Sequence, residues 1–178
     1  MSLHLTRVAL SLVVTLPEHI FDRHLPCSPH VVGDELMSQV IDYAQRERLG
    51  YYPPLDYFQQ QGGIDQDLLD AAENVSWFAS NVARDEIRRK LRPVFSSVTF
   101  QYMQTVAFTM PTVRPGQPNV HLELARHFTP DTIKVGLVVS SFQRTENDES
   151  MTKWARHLVY RWLKGSFDSL QVNSAEVI

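Results

Sequence analysis

Between Asp65 and Leu91 the apolar residues Leu68, Ala72, Val75, Ala79 and Val82 recur at alternating spacings of four and three, and the stripe then slips by one residue to Ala83, Ile87 and Leu91. That slip is the drift of a straight helix with 3.6 residues per turn. Pro93 ends the pattern, because proline removes a backbone donor and clashes with the preceding turn. The spacing therefore predicts one helix over about 65–91, a rod of roughly 40 Å at about 1.5 Å per residue. So long a helix is predicted to cross a whole sheet or to reach a partner.

The flanking segments alternate differently. Leu3 to Leu16 begins with period two and becomes nearly continuous apolar residues, as expected of a strand buried on both faces. The run Val8 to Leu16 follows Arg7 and has the form of a short signal-peptide core, but Pro17, Glu18 and His19 follow it with no small-x-small cleavage site, so a strand is expected. Residues 17–32 hold three prolines and no period, and are read as a loop. A helix is predicted from Asp34, which can cap it, with Leu36, Met37, Val40, Ile41 and Ala44 on one face and Gly50 as its stop. Residues 51–63 read as an aromatic loop closed by a glycine pair.

Three strands are expected next. Val98, Phe100, Tyr102, Val106, Phe108 and Met110 alternate with polar residues; Val120, Leu122 and Leu124 do the same; and 133–142 follows the turn Thr129-Pro130-Asp131-Thr132. If that turn joins neighbours, Leu124 lies opposite Leu137 and Leu122 opposite Val139. A last helix over about 148–164 would carry a stripe of Met151, Trp154, Ala155, Leu158 and Trp162, with Asn147 or Asp148 as cap and Gly165 as stop. Residues 166–178 show no sustained period and read as a loose C-terminal tail. The order predicts one α+β domain over 1–165: a largely antiparallel sheet, built from the N-terminal strand and a three-strand meander, packed with three helices.

Apolar content of 43% and charged content of 21% over 178 residues suit a globular protein with a sizeable core. No apolar run reaches the ~18 residues of a membrane span, so no membrane partner is expected. The single cysteine, Cys27, excludes an internal disulfide framework and is consistent with a reducing, cytoplasmic setting. Phosphate-cradling glycine loops, a Gly-x-Ser-x-Gly elbow and a His-Glu-x-x-His helix are all absent.

Chemistry-bearing residues gather in four places. His19, His24, Cys27 and His30 are competent metal ligands with Asp22 beside them, but their spacing matches no zinc pattern and Pro26 and Pro29 leave the ligand directions undefined. Cys27 as a nucleophile would need a base from elsewhere in the fold. His121, Glu123 and His127 share one face of a predicted strand, where the first two, about 7 Å apart, could do acid–base work; Ser140 and Lys134 are their expected cross-strand neighbours. The aromatics Tyr51, Tyr52 and Tyr57 could line a partner groove, or simply cover the end of the core.

Charge is the most informative signal. Residues 84–92 carry the cations Arg84, Arg88, Arg89, Lys90 and Arg92 against two acids, and residues 153–164 carry Lys153, Arg156, Arg161 and Lys164 with no acid. The whole chain is −3, so everything outside these segments sums to −10. Cations near a helix C-terminus complement its dipole, which does not account for Lys153 or Arg156 early in the last helix. Lys153, His157, Arg161 and Lys164 are spaced to share a face. A basic face on an acidic chain suits an acidic protein surface or a polyanion. With a pI near 6.1 the protein partner is favoured. The expectation is therefore a non-enzymatic interaction or assembly subunit of a homo- or hetero-oligomer. RNA or DNA binding through 84–92 and 153–164 is the alternative, and a small metal-dependent or acid–base hydrolase the second. No cofactor is expected, and no residue is assigned a catalytic role.

Overall fold

The computed structural model describes residues 3–17, 19, 29–106, 114–119, 124, 128, 131–143 and 147–178, with positions 29 and 30 in backbone only. The elements, in chain order, are β1 (His4–Thr15), α1 (Pro29–Arg46), α2 (Leu55–Gln61), α3 (Gln66–Leu91), β2 (Ser97–Thr105), β3 (Thr132–Gln143), α4 (Asp148–Leu163) and β4 (Ser169–Val177). This is an α+β fold with an antiparallel sheet and one long helix, as the periodicities predict. Among the described residues it has four helices rather than three, and none is long and apolar enough to cross a membrane. By their contacts the residues cluster in two compact units, one made of Met1–Pro17, Ser80–Gln104 and Thr132–Ile178, the other of Glu18–Ala79 and Thr105–Asp131. Helix α3 contributes to both.

The first unit holds the sheet, in the order β2-β3-β1-β4. Strand β1 pairs antiparallel with β3, from His4 opposite Gln143 to Thr15 opposite Thr132. Residues directly opposite share a face, so Val8, Leu10, Leu12 and Val14 meet Val139, Leu137, Val135 and Ile133 on a fully buried face. The other face of β1, with Ala9, Ser11 and Val13, is only half covered, so the apolar run does not mark burial on both sides.

The meander is corrected. Leu137 lies opposite Leu10, not Leu124, and both sides of β3 are occupied by β1 and β2. Matching apolar faces is necessary for pairing but does not choose between partners, and β1 offers a longer stripe than 120–125. Most of that predicted strand lies outside the described residues; Leu124 is buried in the second unit with Phe128. The loose tail is corrected too. β4 pairs with β1 from Ser169 opposite Thr15 to Val177 opposite Val8, with a register shift between Ser11 and Leu12 that leaves Asn173 unpaired. Leu170 and Val172 therefore share a face with Ala175 and Val177, and the extra residue erases period two from the sequence. Both ends are tied by backbone bonds, Asp168 N to Thr15 O at 2.9 Å and Ile178 N to Arg7 O at 3.0 Å.

Helix α4 packs over β4 and β1. Asn147 caps it, its side chain accepting from Ser150 N at 2.8 Å. Its buried stripe is Met151, Ala155, Val159 and Leu163, one step round from the expected face; Trp154 and Leu158 are half-buried, and Trp162 is 46% exposed. In this unit α3 buries Ala83, Ile87 and Leu91. Glu86 of α3 meets Ser166 just past α4, while Phe95, just past α3, packs edge-on against Trp154, ring centroids 5.7 Å apart. The two helices therefore run alongside one another in opposite directions.

The second unit is helical. Val32, Leu36, Val40, Ile41 and Ala44 of α1 pack with Phe58 of α2 and with Leu68, Leu69 and Ala72 of α3. Helix α1 begins at Pro29, more than a turn before Asp34, because proline's fixed φ suits a first helical position and Val32 already joins the core. Just past its end at Arg46 the chain turns at Arg48, whose φ of 55° lies in the left-handed region, with Leu49 N donating to Ala44 O at 2.9 Å and Arg48 N to Gln45 O at 3.2 Å. Within the expected 51–63 loop lies α2, anchored by buried Phe58. Gly63 (φ 100°) closes the connection, and a Cβ there would meet the Tyr43 ring at 2.5 Å.

Candidate partner-binding surfaces

Charge divides with the two units. The sheet unit carries twelve Lys and Arg against seven Asp and Glu, net +5; the helical unit carries five against thirteen, net −8. Both basic segments read from the sequence belong to the sheet unit.

The five cations at the end of α3 have different environments. Arg84 and Arg88 lie over the Phe100 ring, 5.8 and 5.5 Å from its centroid, so part of their charge is spent inside the unit. Arg84 is half-buried, its Nε without a hydrogen-bond partner, and Lys90 is half-buried. Arg89 pairs with Glu86 at 2.7 Å, and Glu86 also accepts from Ser166 Oγ at 2.7 Å. Burial pushes the Glu86 carboxyl up; the bonds from Ser166 and Arg89 and the charges of Arg89 and Lys90 outweigh it and hold the group below its usual range. Arg88, besides its place over Phe100, lines a polar cleft of about 370 Å³ with Arg92, Ser96 and the first residues of β2, Ser97 and Val98. Ser97 and the buried Ser140 share a hydrogen bond; on β1, Arg7 lies opposite Ser140 and Val13 opposite Lys134.

On α4, Lys153, Arg156, His157 and Tyr160 line a cleft of about 410 Å³ with Val172 of β4. Lys153 is also 2.9 Å from Glu149, both side chains about three-quarters exposed. Arg161 and Lys164 are exposed but do not line this cleft. Tyr160 and Val172 were not legible as site residues: the first lies off the cationic spacing, and the second sits in the segment read as a tail.

Among the described residues β2 and β4 are the edge strands, and each has a cationic cleft beside it. Edge strands present unpaired N–H and C=O groups, and cations beside them discourage pairing with an identical edge. On the half-covered sheet face Tyr102 is 41% exposed, its hydroxyl 3.1 Å from Ser11 Oγ; Gly136 gives its ring room, since a Cβ there would lie 2.2 Å from Cε1. The alternation had placed Tyr102 on the buried face, but exposure slips by one residue at Gln101 and Tyr102.

The aromatic segment is mainly structural. Tyr52 is buried, which pushes its phenol up, and Tyr57 bonds Tyr43 at 2.8 Å within a cluster of edge-on rings with Phe58. Tyr51 alone of the three is exposed, at 45%. Covering the core accounts for Tyr52 and Tyr57.

His24 and Cys27, the side chain of His30, and the whole set His121, Glu123 and His127 lie outside the described residues; His19 is described and exposed. Among the described residues no three His, Cys, Asp or Glu side chains are grouped to hold a metal ion. No family model matches the chain, and no curated protein or solved structure is significantly similar to it.

Proposed function

We propose that this chain is an interaction or assembly subunit without catalytic chemistry of its own, and that it receives an acidic protein surface on the flank formed by α4 and β4. The observation that carries this reading is the cleft of Lys153, Arg156, His157, Tyr160 and Val172, in which cations surround an exposed tyrosine beside an edge strand. Tyrosine and arginine are favoured anchors at interfaces, because they bury large area with few free torsions and keep a polar end. The charge there is not consumed by the fold: Arg156 and His157 are exposed, and the Lys153–Glu149 pair is too exposed to be worth more than a few tenths of a kcal/mol.

Binding of a labelled oligoglutamate peptide, followed by fluorescence anisotropy across a salt series, tests the reading. Lys153→Gln with Arg156→Gln should weaken it at least tenfold, and binding should weaken further with salt. Unchanged affinity in that variant removes the proposal. A second reading, nucleic-acid binding, draws on the other cleft, where Arg88 and Arg92 stand with the Ser96 and Ser97 side chains in an arrangement suited to phosphate. It takes precedence if single-stranded RNA binds, oligoglutamate does not, and Arg88→Glu with Arg92→Glu abolishes the RNA complex.

A further inference from the structure

Two exposed helix stripes in this molecule match each other in spacing and oppose each other in charge. On α3, Gln66, Asp70, Glu73 and Trp77 stand at i, i+4, i+7 and i+11, all exposed, with Asp65 and Asp67 beside them. On α4, Lys153, His157, Tyr160 and Lys164 stand at the same intervals, all exposed, flanked by Arg156 and Arg161. Each stripe is about 16 Å long at ~1.5 Å per residue. Each also presents one large aromatic, Trp77 at 71% and Tyr160 at 47% exposure. The acidic stripe belongs to the −8 unit and the basic stripe to the +5 unit.

From this we infer that the acidic partner is a second copy of the same chain, the α3 stripe of one copy docking along the α4 stripe of the next. The inference rests on the α4–β4 flank being the docking surface, and adds what occupies it. Residues spaced alternately by fours and threes present one continuous ridge, which is what packing of one helix along another requires. The acidic side is partly pre-ordered: Gln66 Nε2 donates to Asp70 at 3.0 Å and Gln59 Nε2 to Glu73 at 2.5 Å. An indole entering the cleft of about 410 Å³ meets Tyr160 and Val172 as apolar walls, with Lys153 and Arg156 near enough for cation–π contact. Trp77 is then the anchor, and the carboxylates of Asp70 and Glu73 set register against the cations. Because the surfaces differ, the contact is heterologous, and each copy offers both halves of it.

Sedimentation velocity on the full chain tests this with two variants, each disabling one half. Asp70→Lys with Glu73→Lys disables the acidic stripe, and Lys153→Gln with Arg156→Gln disables the basic one. In low salt, wild type should show a mass rising with concentration, at least tenfold less association at about 0.5 M salt, where the Debye length is only a few ångströms, and a similar loss in Trp77→Ser. Each charge variant alone should be monomeric, while an equimolar mixture should associate, since one supplies an intact basic stripe and the other an intact acidic one. Restoration on mixing also shows that both variants are folded. Self-association of either variant at the wild-type level, or failure of the mixture to associate, overturns the inference. A monomeric wild type that still binds oligoglutamate through Lys153 and Arg156 overturns self-recognition alone; loss of both overturns the reading beneath it.

Discussion

Replacing Glu86 by glutamine measures how far one carboxylate joins the end of α3 to the end of α4. Glu86 is 23% exposed, accepts from Ser166 Oγ at 2.7 Å, and from Arg89 at 2.7 and 3.3 Å. The Arg89 side chain is 66% exposed, so this pair is worth only about 0.2–1 kcal/mol. The Ser166 bond is part-buried and charge-assisted, which places it near ~1.5 kcal/mol. Glutamine keeps the shape and one acceptor, so Glu86→Gln should cost about 1 kcal/mol at pH 7.

The pH dependence identifies the cause. The folded carboxyl titrates below its ordinary value of 4.5, so the charged form contributes stability above that value, and the contribution disappears as pH falls through the lower folded one. Urea denaturation at pH 7, 5 and 3 should show wild type and Glu86→Gln converging at the acid end. A cycle with Ser166→Ala should give a coupling of about 0.5–1 kcal/mol. A wild-type advantage that is the same at pH 3 as at pH 7, or a coupling near zero, would refute the assignment and make Glu86 a packing residue only.

Other substitutions probe the remaining joints. Arg48→Gly should raise stability by about 1 kcal/mol, because Arg48 holds a φ of 55° that glycine adopts without strain; an unchanged urea midpoint would count against the cap. Asn147→Ala should lower it by about 1 kcal/mol through loss of the bond from Ser150 N, with Asn147→Asp nearly neutral. Deleting 169–178 should remove several kcal/mol (on the order of 3–5), since β1 loses a whole partner strand; a truncated chain with the full-length midpoint would return that segment to the status of a tail.

What the sequence revealed depended on how many turns or pairs repeated a pattern. Helix α3 was legible because its buried positions Leu68, Ala72, Val75, Ala79, Ala83, Ile87 and Leu91 repeat one geometry. Helix α2 was not, since in seven residues it buries only Phe58 and three of its residues are glutamines. β4 and Tyr102 failed for one physical reason: an irregularity shifts parity within the strand, and period two has no tolerance for a single inserted residue. Strand order failed for another. Alternation describes one strand at a time, while the central place of β1 comes from competition among distant partners for the same edges. In the candidate site the cations were visible as runs, but not the division of labour among them: Arg89 is tied to Glu86, Arg84 lies over Phe100, and Arg156 lines a cleft. Nor could the pairing of that cleft with Val172 be seen while 166–178 had no assigned strand.

Much of the charge pattern follows from helix electrostatics, and removing that part isolates what remains. Asp67 in the first turn of α3 and Arg88, Arg89 and Lys90 in its last turn complement the dipole, as do Asp148, Glu149 and Arg161 on α4. The dipole's influence fades within a turn, so it does not reach Asp70, Glu73, Lys153 or Arg156. Local pairing removes little more, since Lys153 and Glu149 are both about three-quarters exposed. Concentrating +5 in one unit and −8 in the other adds repulsion within each. The proposed contact between copies would give a use to charge that helix dipoles and local pairs do not account for. Among the charges left on α3 and α4 are Asp70, Glu73, Lys153 and Arg156, the residues that the proposed docking of one copy on the next would use.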